Sequence, residues 1–247
     1  MHTSSKGTTL DHIAIATTDG LALERYLEDT LRGRRDRGGE HRDEGDAFRG
    51  GQWLFAGNSK VEVLEPLGGP ESRMGKFLQK QPSRIHHVTF FVDDLAHAIE
   101  RARDLGFDLA EGRPVPGWSE AYLSPKQTFG LLFQLVDAAS VYEAVGLNRD
   151  WAGFAGAPPI MSTFPAQIDA LRITARSRSA AERLLRDGLG GELVRSEDEL
   201  CFQWPGTTTE IRVTVDEASA QGPTAIVTDG APDGLFVSSR TRQLDAA

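Results

Sequence analysis

The chain carries one pattern of apolar and polar positions three times. Runs in which apolar residues alternate with polar ones begin at Leu10, Ile85 and Ile168, and this alternation is typical of a strand with one buried face. Each run leads through a polar turn into apolar residues spaced three and four apart, and a glycine follows near the end. That spacing predicts a helix, and the glycine marks its C-terminal end. We therefore expect a strand followed by a helix in three places.

Further strand-like runs follow each predicted helix, instead of another helix. They cover 50–58 and 59–67 after the first helix, 120–126 and 129–137 after the second, and 199–206 and 209–217 after the third. This order predicts a βαβββ module in 10–67, a second in 85–137 and a third from 168 to about 230. An internal repeat of this kind indicates that the fold is built of copies of one unit. The fold class is therefore α+β, built of tandem βαβββ modules. "PTAIVTDG" (223–230) is left over as part of an incomplete further unit.

The repeats also suggest how the chain divides. We predict a paired domain over 9–137, a linker over 138–166, a degenerate third module over 167–237 and a tail over 238–247.

Superposing the first two modules brings matching polar residues together. His12 falls over His87 on the first strands, and Glu62 falls over Gln134 on the last strands. One such residue alone is more often a satisfied buried polar group than a ligand. A buried Glu62 without a partner would be costly, however, and the coincidence repeats in both modules. Two imidazoles with oxygen donors are a typical site for a first-row divalent metal.

Strand alternation separates the two adjacent histidines of the second module. Neighbouring side chains of a strand point to opposite faces. We expect His87 to face the inside of the sheet with Thr89 and Phe91, and His86 to face the other way with Val88 and Phe90. His97 is expected at the surface of a helix.

Charge and cysteine content narrow the function classes. The 27 basic and 36 acidic residues among 247 give a net charge of −9, which argues against nucleic acid or anionic lipid as partners. One cysteine, Cys201, excludes an intrachain disulfide and a four-cysteine zinc site and fits a reducing cytoplasm. No run approaches the ~18 apolar residues of a membrane span, and the N-terminus lacks the apolar core of a signal peptide. The charged segment 32–46 is expected to be a solvated loop.

At these residues the sequence resembles the vicinal oxygen chelate superfamily of glyoxalases, bleomycin resistance proteins and dioxygenases, and within it the epimerase-like members. The resemblance rests on "LDHIAIA", on "VEVLEPL" followed by "SRMGKFLQK", on "IHHVTFFVDDL" and on the "SPK" turn. It implies that paired modules form a U-shaped cup around one divalent metal, which substrate oxygens chelate. The implied metal ligands are His12, Glu62, His87 and Gln134. The metal could be Zn, Co, Ni, Mn or Fe.

The order of these ligands departs from the family pattern. The epimerase-like members have His, Gln, His, Glu along the chain, whereas this chain has His, Glu, His, Gln. The carboxylate suited to act as a base, Glu62, therefore lies in the opposite half, and Glu44 is a candidate for the second proton-transferring group. Glu120, Lys126 and Trp118 are candidates for substrate contacts at the mouth of the cup.

Three functions fit this set of residues. The first is a metal-dependent epimerase, isomerase or glyoxalase-type lyase that polarises a carbonyl or thioester and transfers a proton at the adjacent carbon. The second is a non-haem Fe(II) dioxygenase, because two histidines and one carboxylate suit that ion. The third is a metal-free binding protein for small molecules, whose cup is lined by Trp53, Phe91, Trp118 and Phe133. In each case the partner is a small molecule, and the sequence leaves a homodimer open.

The third module has lost the candidate ligands. Ala170 stands where the first two modules have histidine, and Ile211 and Arg212 stand near the position of Glu62. We expect this module to shield the cup, to pair subunits or to complete a pseudo-dimer with the first domain.

Overall fold

The computed structural model describes residues 7–43, 46–110, 119–139 and 166–229. The first module contains β1 (Thr8–Thr17), α1 (Gly20–Arg25) with a π-helical extension (Tyr26–Thr30), β2 (Arg34–Asp43), β3 (Asp46–Leu54), β4 (Lys60–Pro66) and α2 (Arg73–Leu78). The second contains β5 (Ser83–Val92), α3 (Leu95–Asp104), β6 (Leu109–Ala110), β7 (Glu120–Leu123) and β8 (Leu132–Asp137). The third contains β9 (Ile168–Ala175), α4 (Arg178–Glu182) with a π-helical extension (Arg183–Gly188), β10 (Glu192–Arg195), β11 (Leu200–Gln203) and β12 (Glu210–Val215), and β13 (Gly222–Thr228) follows it.

The strands form two sheets with one repeated topology. The first sheet has the order β2-β3-β4-β1-β5-β8-β7-β6, and the second has the order β10-β11-β12-β9-β13. In every module the first strand pairs in parallel with the last. Antiparallel pairing of β1 with β5 joins the first two modules, and β13 pairs with β9 in the same way. This confirms the α+β class and the three βαβββ modules.

The module helices begin at the polar turns that the sequence pattern indicated. The side chains of Asp19, Asp94 and Ser177 each accept a hydrogen bond from the backbone N–H three residues further on. These are N-cap interactions, which satisfy a backbone donor that the first helical turn leaves free. The helices therefore start at equivalent places and cover equivalent faces.

Two β-bulges interrupt the pairing of β1 with β5. Leu10 pairs with Phe90 and His12 with Thr89, so Asp11 is the extra residue on β1. Ala14 pairs with His87 and Ile15 with Ile85, so His86 is the extra residue on β5. A bulge breaks the simple alternation of side chains between the two faces.

The bulge on β5 overturns the prediction that His86 faces away from His87. The Nδ1 atoms of the two rings lie 2.8 Å apart, and the ring of His86 packs edge-on against Phe77. Phe77 packs against the apolar cluster of Ala14, Ala16 and Leu64. Both histidines therefore lie on the inner face of the sheet, because the extra residue moves the alternation by one position.

The second sheet has the same two bulges at matching positions. Asp169 is the extra residue on β9, where Ile168 and Ala170 pair with Thr228 and Val227. Thr224 is the extra residue on β13. Matching the registers of the two sheets aligns Ala170 with His12, Ala225 with His87, Arg212 with Glu62 and Asp169 with Asp11.

The two sheets pack through their helix-bearing faces. The rings of Phe90 and Trp204 lie 5.0 Å apart, and the guanidinium of Arg183 lies 5.5 Å from the ring of Phe107. Phe90 points away from the face that carries His87, so the described part of the third module does not cover the inner face of the first sheet. One apolar cluster runs through both sheets.

The sequence analysis predicted a solvated loop for the charged segment 32–46. That prediction was wrong, because most of the segment forms β2. Register pairs join β2 to β3 from Arg34 opposite Leu54 to Asp43 opposite Asp46. β2 is an edge strand, and charged side chains on an edge strand are a common way to prevent pairing with another chain. The high charge density of this segment therefore reflects its position at the edge of the sheet and does not indicate a loop.

The remaining sequence predictions concern single side chains, the linker and the tail. Cys201 is a buried free thiol. His97 is exposed on α3, as the sequence pattern predicted. Most of the predicted linker and tail lie outside the described residues, so the domain boundaries stay predictions. No helix in the part of the chain that the structure describes is both long enough and apolar enough to cross a membrane.

Candidate metal centre

Three side chains converge on the inner face of the first sheet. The Nε2 atoms of His12 and His87 each lie 3.4 Å from Oε2 of Glu62. One donor atom from each of the three residues lies within 4.8 Å of the others. Strands β1, β4 and β5 are adjacent in the sheet, so each contributes one residue of the cluster. Among the described residues this is the arrangement of histidine and carboxylate that could hold a metal ion.

His12 is held from behind by buried charged groups. Its Nδ1 lies 2.7 Å from Oδ2 of Asp11, and the other carboxylate oxygen of Asp11 accepts a hydrogen bond from Nζ of Lys60. Both partners are buried. With Nδ1 facing Asp11, Nε2 faces the inner side of the sheet, where it lies 2.9 Å from the hydroxyl of Thr89.

His87 has a different partner and one free nitrogen. Its Nδ1 faces His86, whereas its buried Nε2 forms no hydrogen bond in the structure. A buried polar atom without a partner is costly unless something satisfies it. Two ring nitrogens and a carboxylate oxygen directed at one point suit a first-row divalent ion, so the residues present fit the metal that the sequence analysis predicted.

The charges of the cluster depend on one another. Burial alone would raise the pKa of Glu62, but the imidazoles of His12 and His87 lower it to about 2. Burial alone would lower the pKa of His12, but the carboxylates of Glu62 and Asp11 raise it. Burial and the neighbouring His86 hold the pKa of His87 well below its usual range. His87 is therefore neutral and Glu62 ionised near neutral pH, which are the forms that bind a metal.

Gln134 lies beside the cluster and not within it. Its Oε1 accepts a hydrogen bond of 2.5 Å from the hydroxyl of Thr89, the residue that contacts His12. Its Nε2 donates to Oε2 of Glu120 at 2.6 Å and to the hydroxyl of Tyr122 at 2.9 Å. The structure thus places the predicted fourth ligand one hydroxyl group away from His12.

Glu120 lies on β7, and its Oε2 accepts the hydrogen bond from Gln134. Burial and the carboxylates of Glu120 and Glu62 raise the pKa of Tyr122, so its phenol stays protonated. Glu120, Tyr122 and Gln134 together form a polar wall on the side of the second module.

The remaining predicted residues lie elsewhere. Lys126 is exposed in the turn before β8. Glu44 and Trp118 lie outside the described residues. Trp53 and Phe133, suggested as lining of a binding cup, are instead fully buried in the apolar cluster that both sheets share. The prediction for these two aromatic residues was wrong, because they point to the helix-covered face.

Sequence reasoning missed the residues that support the cluster. Asp11 and Lys60 lie behind His12, and Gln52 lies between Arg37 and the cluster. The side-chain oxygen of Gln52 accepts from Nε of Arg37 at 2.8 Å, and its amide nitrogen lies 3.4 Å from Oε1 of Glu62. A carboxylate directly before a candidate ligand was the available signal, but strand alternation places Asp11 on the wrong face unless the bulge is known.

Comparisons with known proteins bear on the family and the fold. A family model described as the glyoxalase/bleomycin resistance protein/dioxygenase superfamily matches residues 11–122. The ethylmalonyl-CoA/methylmalonyl-CoA epimerase of Cereibacter sphaeroides is 33% identical over 131 residues, which cover 51% of this chain and 95% of that protein.

Two solved structures illustrate the likeness. The methylmalonyl-CoA epimerase of Mycobacterium tuberculosis is 27% identical, with a TM-score of 0.46 over 56% of this chain and 92% of that chain. A variant of 4-hydroxymandelate synthase from Streptomyces coelicolor is 16% identical, with a TM-score of 0.59 over 88% of this chain and 65% of that chain. The second likeness shows the fold across both sheets.

The fold and the site define an α+β protein in which two paired βαβββ modules share one sheet and carry a cluster of histidine and carboxylate on one face. This chain belongs to the glyoxalase/bleomycin resistance protein/dioxygenase superfamily, and epimerases are among its relatives.

Proposed function

We propose that this protein is a divalent-metal-dependent epimerase that acts on a carbonyl compound or acyl thioester and moves a proton at the adjacent carbon. The observation that carries the proposal is the buried cluster of His12, Glu62 and His87, whose donor atoms lie within 4.8 Å of one another. The names of the relatives support the substrate class, because the Cereibacter sphaeroides protein is an epimerase of ethylmalonyl-CoA and methylmalonyl-CoA.

His12, His87 and Glu62 would hold the metal, and Gln134, which lies beside the cluster, is the candidate fourth ligand. A bound divalent ion supplies Lewis acidity that polarises the substrate carbonyl. Among Zn, Co, Ni, Mn and Fe, the donor set does not favour one ion.

Epimerisation by two groups requires a base on one face of the substrate carbon and an acid on the other. Glu62 enters the cup from the first module, and Glu120 enters from the second. One carboxylate removes the proton while the C–H electron pair moves toward the carbonyl oxygen, and an acid on the other face returns a proton. We assign the second role to Glu120, held by the amide of Gln134, and Glu44 is the alternative. Lys126 and Trp118 remain candidates for substrate contacts.

The protein, purified without chelators or a histidine tag, would be assayed for metal per chain by plasma mass spectrometry. We expect about one ion per chain, lost in His87→Ala and retained in His97→Ala, which removes an exposed imidazole from α3. His86→Ala is no neutral control, since His86 contacts His87. Absence of metal in every form, also after reconstitution, would contradict the proposal and favour a metal-free binding protein.

The reaction would be tested with methylmalonyl-CoA in deuterated water. We expect deuterium at the α-carbon with the metal-loaded wild type, and greatly slowed inversion of that carbon in Glu120→Gln. A hemithioacetal is the parallel substrate for a glyoxalase-type lyase. No exchange with either compound would count against proton transfer.

A second candidate function follows from the same three side chains. Two histidines and one carboxylate are the ligand set of many non-haem Fe(II) oxygenases. Oxygen consumption that depends on Fe(II) and on His87 would favour this function over epimerisation.

A further inference from the structure

Asp11 and Lys60 form a buried ion pair directly behind His12. Lys60 Nζ contacts Oδ1 of Asp11, and Oδ2 of Asp11 lies 2.7 Å from Nδ1 of His12. Lys60 is 3% exposed and Asp11 is 7% exposed, so neither side chain is available to a ligand in the cup.

A buried ion pair is weak evidence for stability, because desolvation offsets the attraction of the charges. Here the pair has a geometric effect. Lys60 occupies one oxygen of the carboxylate, which leaves the other directed at the histidine ring. A carboxylate that accepts from one ring nitrogen fixes the tautomer and the orientation in which the other nitrogen binds a metal.

We propose that Asp11, anchored by Lys60, is a positioning residue that holds His12 with its Nδ1–H toward Asp11 and its Nε2 toward the metal position. The inference rests on the proposed metal-binding function and deepens it. His87 has no such anchor, because its Nδ1 faces the neighbouring His86. The two histidines of the cluster are therefore supported unequally.

The second sheet contains a natural control for this inference. Asp169 occupies the bulge on β9 that matches the bulge of Asp11, but Ala170 follows it where His12 follows Asp11. Its Oδ1 accepts from Nε2 of Gln167 at 3.0 Å. The same chain thus contains an aspartate in the matching bulge that is followed by alanine and an aspartate that contacts a histidine.

The test compares Asp11→Asn with Asp169→Asn in the full chain. The dissociation constant of Co²⁺ would be measured by competition with a chromophoric chelator, and the visible spectrum of the bound ion would report its coordination. We expect Asp11→Asn to bind Co²⁺ roughly 10- to 100-fold more weakly with an altered spectrum, as for other lost ligand supports, and Asp169→Asn to match wild type. Equal effects of the two variants, or no effect of Asp11→Asn, would overturn the inference.

A second variant covers the case in which Asp11→Asn does not fold because the buried ammonium of Lys60 loses the negative charge of Asp11. Asp11→Asn combined with Lys60→Met removes both charges. We expect this double variant to fold and to show the same weakened Co²⁺ binding. Wild-type affinity in the folded double variant would contradict a positioning role.

Nitrogen-15 NMR of the metal-free protein tests the inference apart from metal binding. At alkaline pH, where the ring is neutral, we expect the His12 proton on Nδ1 in wild type and in Asp169→Asn, and a shift toward the Nε2–H tautomer in Asp11→Asn. A wild-type ring protonated on Nε2 would overturn the inference. If wild type binds no Co²⁺, the proposed function fails, but the tautomer still decides whether Asp11 positions His12.

Discussion

The two sheets share one backbone design but differ at the positions that could bind a metal. Both have a parallel pair of first and last strands, an antiparallel partner strand and two bulges in matching register. In the second sheet, alanines replace both histidines and Arg212 replaces Glu62. The bulges therefore belong to the fold, whereas the cluster depends on a few side chains placed upon it.

The polar groups of the second sheet satisfy one another. Glu210 accepts from Arg195 at 2.6 Å, from Arg212 at 2.7 Å and from Gln203 at 2.8 Å. In the first sheet the nitrogen of His87 that faces Glu62 lacks a hydrogen-bond partner. A closed network needs no ligand, whereas an incomplete one provides a reason for a ligand to bind.

Exchanging the residue that differs most between the sheets should give the largest effect. Glu62→Arg places a guanidinium beside the two imidazoles, and we expect complete loss of metal because a cation replaces an anionic ligand. Metal per chain would be measured by plasma mass spectrometry. The reciprocal change, Arg212→Glu, should leave metal content unchanged. Retention of the ion by Glu62→Arg would mean that the metal lies elsewhere.

The next effect concerns the packing that joins the two sheets. Phe90 is fully buried, stacked on Phe133 and in edge contact with Trp204 of the second sheet. Phe90→Ala should lower the free energy of unfolding by about 3–5 kcal/mol, the usual cost of such a cavity. Urea unfolding would measure it. Leu21→Ala, at an exposed position, should cost no more than about 0.5 kcal/mol. A loss below about 1 kcal/mol for Phe90→Ala would contradict this packing.

A smaller effect should appear in acid. The pKa of Glu62 is lowered from 4.5 to about 2 in the folded metal-free protein. Its contribution to stability is therefore present above pH 4.5 and is lost as the pH falls through about 2. At 1.36 kcal/mol per pKa unit, this contribution is on the order of 1–3 kcal/mol.

Urea unfolding in EDTA at several pH values would check the acid effect. Between pH 4.5 and 2, the free energy of unfolding of Glu62→Gln should fall less steeply with decreasing pH than that of wild type, since the titrating group is gone. Glu217→Gln, at an exposed position near the second sheet, should keep the wild-type slope. Identical slopes for wild type and Glu62→Gln would show that the carboxyl group is not held by the histidines.

The smallest effect is expected within the second sheet. The side chain of Arg195 is 57% exposed. If Arg195 is removed, Glu210 still accepts hydrogen bonds from Arg212 and Gln203. Arg195→Ala should therefore cost at most about 1 kcal/mol in urea unfolding and should not change metal content. A loss above about 2 kcal/mol would mean that this network holds the second sheet together.

Periodic features were predictable from the sequence. The strand and helix of each module follow from the spacing of apolar residues. The equivalent positions of His12 and His87 in the first two modules follow from the repeat. Features that depend on a single inserted residue were not. The bulge at His86 reverses the face of that side chain, and no local preference of the sequence marks it.

Context also decides how charged residues are read. β2 looked like a solvated loop, because edge strands and loops share a high content of charge and glycine. The role of Asp11 depends on a lysine 49 residues away in the chain, whose position follows only from the parallel pairing of β1 with β4.

Because its bulges match those of the first sheet, the second sheet is a suitable backbone on which to engineer a metal site. Its backbone already presents three adjacent positions in the register of the first cluster, and the aspartate of its bulge is in place. Ala170→His, Ala225→His and Arg212→Glu would transplant the ligand set without altering a turn or a strand. A chain built in this way would present the same set of two histidines and one carboxylate in both of its sheets.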